Sequence, residues 1–217
     1  MTNFRKTHNR IKIKNAKPSS ATWLNRHLND VYVQQSKRDG YRSRAAYKLL
    51  EIHNKFKIFL NDGPILDLGC APGSWLQVVK KITPAVKIIG VDLLKIDPVP
   101  GVEFICGDLF NEAVQNNIKE FSEKYSVVMS DISPNTTGIK NVDHLRILNI
   151  AEAVLTLSQS LLKTNGTMIC KVFQGCYEKE FSNKIKKSFA DVAHFKPESS
   201  RKESNEVYLI AKNFKAR

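Results

Sequence analysis

From Pro64 onward the chain alternates short, unbroken apolar runs with longer amphipathic ones, and few folds accommodate that pattern. The strand candidates are Ile65–Leu68, Lys87–Asp92, Val102–Cys106, Ser126–Ser130, Thr167–Phe173 and Glu206–Ala211. Between them, Ser74–Lys81, Glu112–Lys124, Asp143–Leu162 and Lys179–Phe189 carry helical periodicity. Strands alternating with helices predict an α/β fold built on a doubly wound, mostly parallel sheet. The strands are continuously apolar, as expected where helices cover both faces. No repeat, long linker or second domain is visible, so residues 20–217 read as one domain behind a basic arm at 1–19.

Upstream of the sheet, Ser20 to Lys57 has helical character, broken at Asp39-Gly40. The segment Ser43–Phe56 opens on a Ser cap candidate and sets Ala45, Leu49, Ile52 and Phe56 on one stripe. Met1–Lys17 is polar, basic and without periodicity, and reads either as a mobile RNA-binding tail or as a transit segment. The 217 residues are 42% hydrophobic, enough for a continuous core without disulfides. No run of 18 uncharged apolar residues occurs, so no membrane-spanning helix is expected.

Charge narrows the partner. Lys and Arg number 34 against 21 Asp and Glu, a formal net charge of +13. Met1–Gly63 holds 14 basic and 4 acidic residues; the rest of the chain holds 20 and 17. A one-sided positive field steers polyanions, of which nucleic acid is the commonest. The four cysteines form no C-x-x-C pair and none lies near a histidine at zinc spacing, so no metal site is expected. Cys106 and Cys170 sit in the apolar runs EFIC and TMIC and read as buried free thiols, implying a reducing compartment.

In such a sheet, ligands bind beyond the carboxyl ends of the strands, at the topological switch point. The first strand leads into Asp67-Leu68-Gly69-Cys70-Ala71-Pro72-Gly73-Ser74-Trp75. A dinucleotide fingerprint fails here, because Ala71 and Ser74 stand where its second and third glycines should be. What is left, D-x-G-x-x-x-G, suits a cofactor with an adenosine, an amino-acid tail and no phosphates: S-adenosylmethionine. Asp67 would attract the ammonium, and Gly69 and Gly73 would let the backbone approach closely. Asp92 would accept the ribose hydroxyls and Asp108 the adenine amino group. Asp67 and Asp92 also read as loop caps taken singly; four strand ends carrying Asp67, Asp92, Asp108 and Asp131 favour a ligand.

Segments from one end of the domain to the other also carry a likeness. SRAAYKLLEI (Ser43–Ile52), DLGCAPGSW (Asp67–Trp75), VDLL (Val91–Leu94), SDISPN (Ser130–Asn135), KVFQG (Lys171–Gly175) and SSR-x-x-S-x-EVY (Ser199–Tyr208) occur in order. So does Asp97–Asp108, and Trp23–Gln35 is similar to an N-terminal helix. The chain resembles the FtsJ/RrmJ family of RNA ribose 2′-O-methyltransferases, in the branch acting on large-subunit ribosomal RNA. The resemblance implies a Rossmann-like sheet of about seven strands with the last antiparallel, S-adenosylmethionine as cofactor, and a uridine ribose as target. It implies a Lys-Asp-Lys-Glu tetrad at Lys48, Asp131, Lys171 and Glu206, and cofactor contacts at Gly73, Trp75, Asp92, Asp108 and Asp131. Ser74 and Ser133 depart from the family's usual glycine and alanine, which touches loop detail only.

A ribose 2′-OH is a poor nucleophile, so the protein must orient it in line and help remove its proton. Lys171 is expected to act as base or polarise the hydroxyl, Asp131 to orient it, Lys48 to hold the target phosphate or ribose, and Glu206 to tune the lysine pair. RNA docking is expected through Lys37, Arg38, Arg42 and Arg44 beside Lys48, with Arg201 and Lys202 completing a groove. Tyr41 and Tyr47, interleaved with these cations, read as either base-stacking or packing residues; His53, His144 and His194 read as structural or surface groups. Three functions stay open at this stage: methylation of large-subunit rRNA, methylation of the tRNA anticodon loop, and ribosome assembly through RNA binding. SDISPN, in place of the D-G-A-P-D usual in the tRNA branch, favours rRNA. A monomer without membrane contact is expected, located in the cytoplasm of a bacterium or in a mitochondrion or other organelle of a eukaryote.

Overall fold

The computed structural model describes residues 29–60, 63–134, 137–175 and 178–216. The expected arm, the domain start at residue 20, Asn135 and Cys176 lie outside them.

Seven strands form one sheet: β1 (Ile65–Leu68), β2 (Ile88–Asp92), β3 (Glu103–Cys106), β4 (Tyr125–Ser130), β5 (Leu162–Phe173), β6 (Phe189–Phe195) and β7 (Glu206–Phe214). Their order across the sheet is β3-β2-β1-β4-β5-β7-β6. The first five run parallel, while β7 pairs antiparallel with both β5 and β6 and is the reversed strand. The chain winds outward from β1 in one direction and then returns to β4 to wind in the other. The switch point therefore lies between the carboxyl ends of β1 and β4, which pair through Leu68 and Ser130.

Six helices accompany the sheet among the described residues: α1 (Val31–Arg38), α2 (Ala45–Phe56), α3 (Ser74–Ile82), α4 (Glu112–Phe121), α5 (Lys140–Leu161) and α6 (Glu178–Ser188). Strand alternation divides the core between two faces. Leu66, Leu68, Val128, Met168 and Leu209 pack with α4, α5 and α6. Ile65, Val127, Ile169 and Ile210 pack with α2 and α3. Every residue of β1 and β4 is buried, which explains why both read as unbroken apolar runs.

The structure corrects several expectations. β6 was not expected at all; Phe189 was placed at the end of a helix. FADVAHF is an edge strand with a mixed burial pattern, so it lacks the apolar continuity that marks the others. β5 begins at Leu162, immediately after α5, five residues earlier than Thr167. Its first part pairs irregularly with β4, with a register shift between Tyr125 and Val127, so its polar start hid the strand. Ser43 stands just outside α2: Arg44 is the cap residue and makes no side-chain cap bond. Ser43 Oγ still accepts from the Ala45 amide at 3.2 Å and pairs with Ser74 Oγ at 2.7 Å. On the stripe, Leu49 and Ile52 are buried, whereas Ala45 and Phe56 are half-buried. Cys170 is buried as expected, but Cys106 is exposed because β3 is the other edge of the sheet.

Leu66 is fully buried in the central strand. Leu66→Ala should lower the unfolding free energy by about 2–5 kcal/mol. Ile105→Ala, at the half-buried edge, should cost about 1 kcal/mol, both read by urea denaturation.

Candidate active site

Period-two alternation carries Asp67, Lys171 and Tyr208 to the same face of the sheet, the one covered by α2 and α3. Lys171 lies directly opposite Tyr208, and Phe173 opposite Glu206, so Glu206 shares the face of Tyr208 two residues on. Asp131 follows Ser130, the last residue of β4, which pairs with Cys170. From above, α2 lowers Lys48 onto the same spot. The four expected tetrad residues are therefore brought together by three strands and one helix.

Their contacts are close. Lys171, only 5% exposed, sets its Nζ 3.0 Å from Asp131 Oδ1 and donates to the Asp131 carbonyl at 2.7 Å. Lys48 Nζ lies 2.7 Å from Glu206 Oε1 and 4.0 Å from Asp131 Oδ2. Glu206 also accepts from Ser200 Oγ at 2.8 Å. Burial alone would raise the Asp131 carboxyl, but Lys171 and Lys48, with hydrogen bonds from Tyr208 and Lys171, hold it below the usual carboxylate range. Sequence reasoning missed Tyr208 as a member of this cluster. Its hydroxyl donates to Asp131 Oδ1 at 2.6 Å, and burial followed by the Asp131 and Glu206 charges pushes its own pKa well up. The signal was available: E-V-Y places Tyr208 at strand spacing from Glu206.

A cleft of about 590 Å³ opens beside Asp131, over the carboxyl ends of β1, β2 and β3. Asp92 and Asp108 line it, as do Leu93, Leu94 and Phe110, which are 68, 67 and 59% exposed. Three large apolar side chains at a rim offer a wall for a flat base. Asp92 is also a loop cap: Oδ2 accepts from the Ala71 amide and Oδ1 from Leu94, each at 2.8 Å. Asp108 Oδ1 likewise accepts from the Phe110 amide at 3.0 Å. The loop-cap and ligand readings of these residues are thus compatible, since a carboxylate oxygen accepts more than one bond.

Asp67 differs. It is 1% exposed, and neither carboxylate oxygen has a hydrogen-bond partner in the structure. It borders a small cavity shared with Ala71, Trp75 and Asp131, contiguous with the cleft. Burial, then the Asp131 and Asp92 charges, pushes its pKa well above the usual value. A buried acid with no donor, bordering a small cavity that shares Gly69, Ala71 and Asp131 with the cleft, fits the ammonium of an amino-acid tail. Trp75 donates Nε1 to the Ala45 carbonyl at 2.9 Å, fixing its ring against the cavity. Gly69 and Gly73 have positive φ, 74° and 99°. A Cβ at Gly69 would meet Ile132 at 2.1 Å, and one at Gly73 would meet Arg42 Nη1 at 2.6 Å. The glycines thus admit protein side chains that shape the loop.

The expected RNA contacts separate into two groups. Lys37, Arg38 and Lys202 are exposed. Arg44 is engaged: it pairs with Asp30 and donates to the Ser199 carbonyl. Arg201 Nε lies 3.8 Å from Asp30 Oδ2. Arg44 and Arg201 nevertheless border a second cavity, of about 360 Å³, against Lys48 and Glu206. Arg42 is engaged on backbone carbonyls. Tyr47 is buried, donates to Asp39 Oδ2 at 2.6 Å and packs its ring on Tyr32 and Tyr41, which settles it as a packing residue. His53 stacks on Phe59 and is structural, as expected.

Asp67 makes a pH prediction. Its pKa rises on folding, so its contribution to stability is greatest below the unfolded value of 3.8 and is lost as pH rises through the folded value. Asp67→Asn should therefore gain stability relative to wild type between pH 4 and pH 7 in cofactor-free protein, measured as the difference in Tm at each pH.

A model of the FtsJ-like methyltransferase family matches residues 41–214. A protein named ribosomal RNA large subunit methyltransferase E from Rickettsia akari (strain Hartford) is 47% identical over 215 residues, covering 94% of this chain and 95% of that one. Its namesake from Rickettsia canadensis (strain McKiel) is 48% identical over 204 residues, covering 91% and 90%. The crystal structure of a protein described as a ribosomal RNA methyltransferase from Plasmodium falciparum superimposes with a TM-score of 0.74 at 34% identity, over 82% of this chain and 100% of that one. Matched from before its sheet to the end of its last strand, the chain belongs to the FtsJ-like methyltransferase family, an S-adenosylmethionine-dependent one.

Proposed function

We propose that this protein transfers a methyl group from S-adenosylmethionine to a ribose 2′-OH of large-subunit ribosomal RNA. The observation that carries the reading is Lys171, buried against Asp131, which lines the cofactor cleft, while Lys48, 4.0 Å from Asp131, and Glu206 line the second cavity. The names of the Rickettsia relatives support rRNA as the substrate.

When bound, S-adenosylmethionine supplies a methyl group already activated by its sulfonium. Asp67 holds the ammonium, Asp92 the ribose hydroxyls and Asp108 the adenine edge, with Gly69, Gly73 and Trp75 shaping the loop around the tail. Lys171 acts as base toward the 2′-OH or polarises it, so that the oxygen would close on the methyl carbon as its proton is removed. The Lys171 Nζ is held by the Asp131 carboxylate and carbonyl, the arrangement seen here. Lys48, fixed by Glu206, offers its charge to the target phosphate or ribose. Asp131, kept anionic by its two lysines, holds both in register. Arg201, Lys202, Lys37 and Arg38 supply positive charge around the cavity that admits the nucleotide. The four tetrad residues come from one chain, and we propose that the enzyme acts as a monomer. The bacterial relatives support the cytoplasmic location over the organellar one.

The test is transfer of labelled methyl to large ribosomal subunits, free rRNA and bulk tRNA, with resistance to alkaline cleavage as the mark of 2′-O-methylation. Alkali-resistant label is expected in rRNA or subunits. Lys171→Ala should reduce kcat by roughly 10²- to 10⁴-fold with the cofactor still bound. Lys48→Ala should act more on the KM for RNA than on the KM for cofactor. Label in tRNA alone would move the target, and cofactor binding with no transfer anywhere would favour an assembly role. A second expectation concerns binding alone. Because Asp67 must ionise to pair with the ammonium, cofactor affinity should rise with pH across the acid range, read by titration calorimetry.

A further inference from the structure

We infer that Arg42 is a positioning residue for the cofactor loop, and that its guanidinium serves this purpose in place of RNA phosphate. Its Nη1 donates to the Pro72 carbonyl at 2.9 Å and the Asp97 carbonyl at 2.7 Å, and Nη2 donates to Pro98 at 2.9 Å. Its own amide donates to Gln77 Oε1 at 2.9 Å. These acceptors lie on three different segments. Pro72 belongs to the loop between β1 and α3, which frames Asp67. Asp97 and Pro98 belong to the connection after β2, which begins with Asp92, Leu93 and Leu94 at the cleft wall. Gln77 lies on α3.

The chemistry suits arginine in particular. A guanidinium is a rigid planar fork with five N–H donors, and it meets several fixed carbonyls at once without having to be deprotonated. Lysine, a compact point charge on a flexible stem, cannot span the same three oxygens in one plane. Gly73 is the complementary feature, because a Cβ there would lie 2.6 Å from Nη1 and push the fork away. A glycine in the cofactor loop thus makes room for the residue that holds the loop.

Arg42 also precedes α2, the helix that carries Lys48. The neighbouring contacts Ser43–Ser74 at 2.7 Å and Trp75 Nε1 to the Ala45 carbonyl at 2.9 Å join the same two helix starts. Arg42 therefore registers both walls of the cofactor cleft against the helix that presents Lys48 to the nucleotide. Its effect is exerted through the loop, without contact with cofactor or RNA.

The inference rests on the cofactor reading of the cleft, and the experiment separates the two. S-Adenosylmethionine binding to the full chain is measured by titration calorimetry for wild type, Arg42→Gln and Arg42→Lys. Binding of a large-subunit rRNA fragment is measured for the same proteins over a range of salt. Wild type is expected to bind cofactor, and both variants to bind it roughly 10- to 100-fold more weakly. In turnover, the KM for cofactor should rise while the KM for RNA holds, and the salt slope of RNA binding should be unchanged. A phosphate contact predicts the opposite: cofactor affinity unchanged, Arg42→Lys close to wild type, and a salt slope reduced by about 0.7–0.9 for Arg42→Gln. That result would overturn the inference, as would equal losses of cofactor and RNA binding in Arg42→Lys, which would mark a general folding defect. Failure of wild type to bind cofactor would overturn the cleft reading and the inference with it.

Discussion

Asp131 is the point on which the site is fixed, because three side chains from three elements converge on one carboxylate and its carbonyl. Lys171 reaches it from β5, Tyr208 from β7 and Lys48 from α2. Each of these groups is buried or nearly so, and none would be tolerated there without the others. A lysine that is 5% exposed requires a counter-charge, and the Asp131 carboxylate is held ionised by the two lysines and the Tyr208 hydroxyl. The sheet register follows the same logic. Placing Lys171 opposite Tyr208 is what lets both reach the end of the adjacent strand. A slip of one residue in β7 would turn Tyr208 and Glu206 to the opposite face and leave the lysines without partners.

Three acids crowd the switch point, and the protein treats them differently. Asp131 is neutralised by lysines, Asp92 is occupied by two backbone amides, and Asp67 has no donor. The arrangement stores an electrostatic demand at the base of the cleft: Asp67 is raised by burial and by the two neighbouring charges. A cation seated beside Asp67 would offset these contributions, which is how the cleft would suit the zwitterionic tail proposed for it.

The parallel core was legible because β1, β2 and β4 are buried on both faces and so read as plain apolar runs. Their carboxyl ends then located Asp67, Asp92 and Asp131 without further information. The edge strand β6 was not legible, because FADVAHF has no regular alternation of buried and exposed residues and mixes Asp, Ala and His into a short run. The polar beginning of β5 failed for a related reason: Lys163, Thr164 and Asn165 carry no strand signal and lie in the register shift between the Tyr125–Leu162 and Val127–Thr167 pairs. In the site, composition could suggest that Arg42 and Arg44 face RNA. It could not reveal that their partners stand 30 or more residues away, at Pro72, Asp97 and Ser199. Long-range acceptors of this kind leave no local pattern. Tyr208 shows the converse, a residue inside a recognised motif whose partner is defined only by strand register.

The reversed direction of β7 has a consequence for how the molecule can be extended. In β1 to β4 the chain leaves the strand toward the cleft; in β7 it is the first residue, Glu206, that lines the second cavity, while Phe214 ends at the far rim beside Phe189. The segment entering β7 is therefore a substrate-side loop, tethered by Glu51 to the amides of Glu198 and Ser199 at 2.5 and 3.0 Å. The segment leaving β7 departs from the opposite pole. The end of β7 at Phe214 lies beside Phe189, away from the residues that line both cavities, so this end is the natural handle for a fluorescent or affinity fusion. A graft between Pro197 and Asn205, by contrast, would be read by whatever enters the cavity.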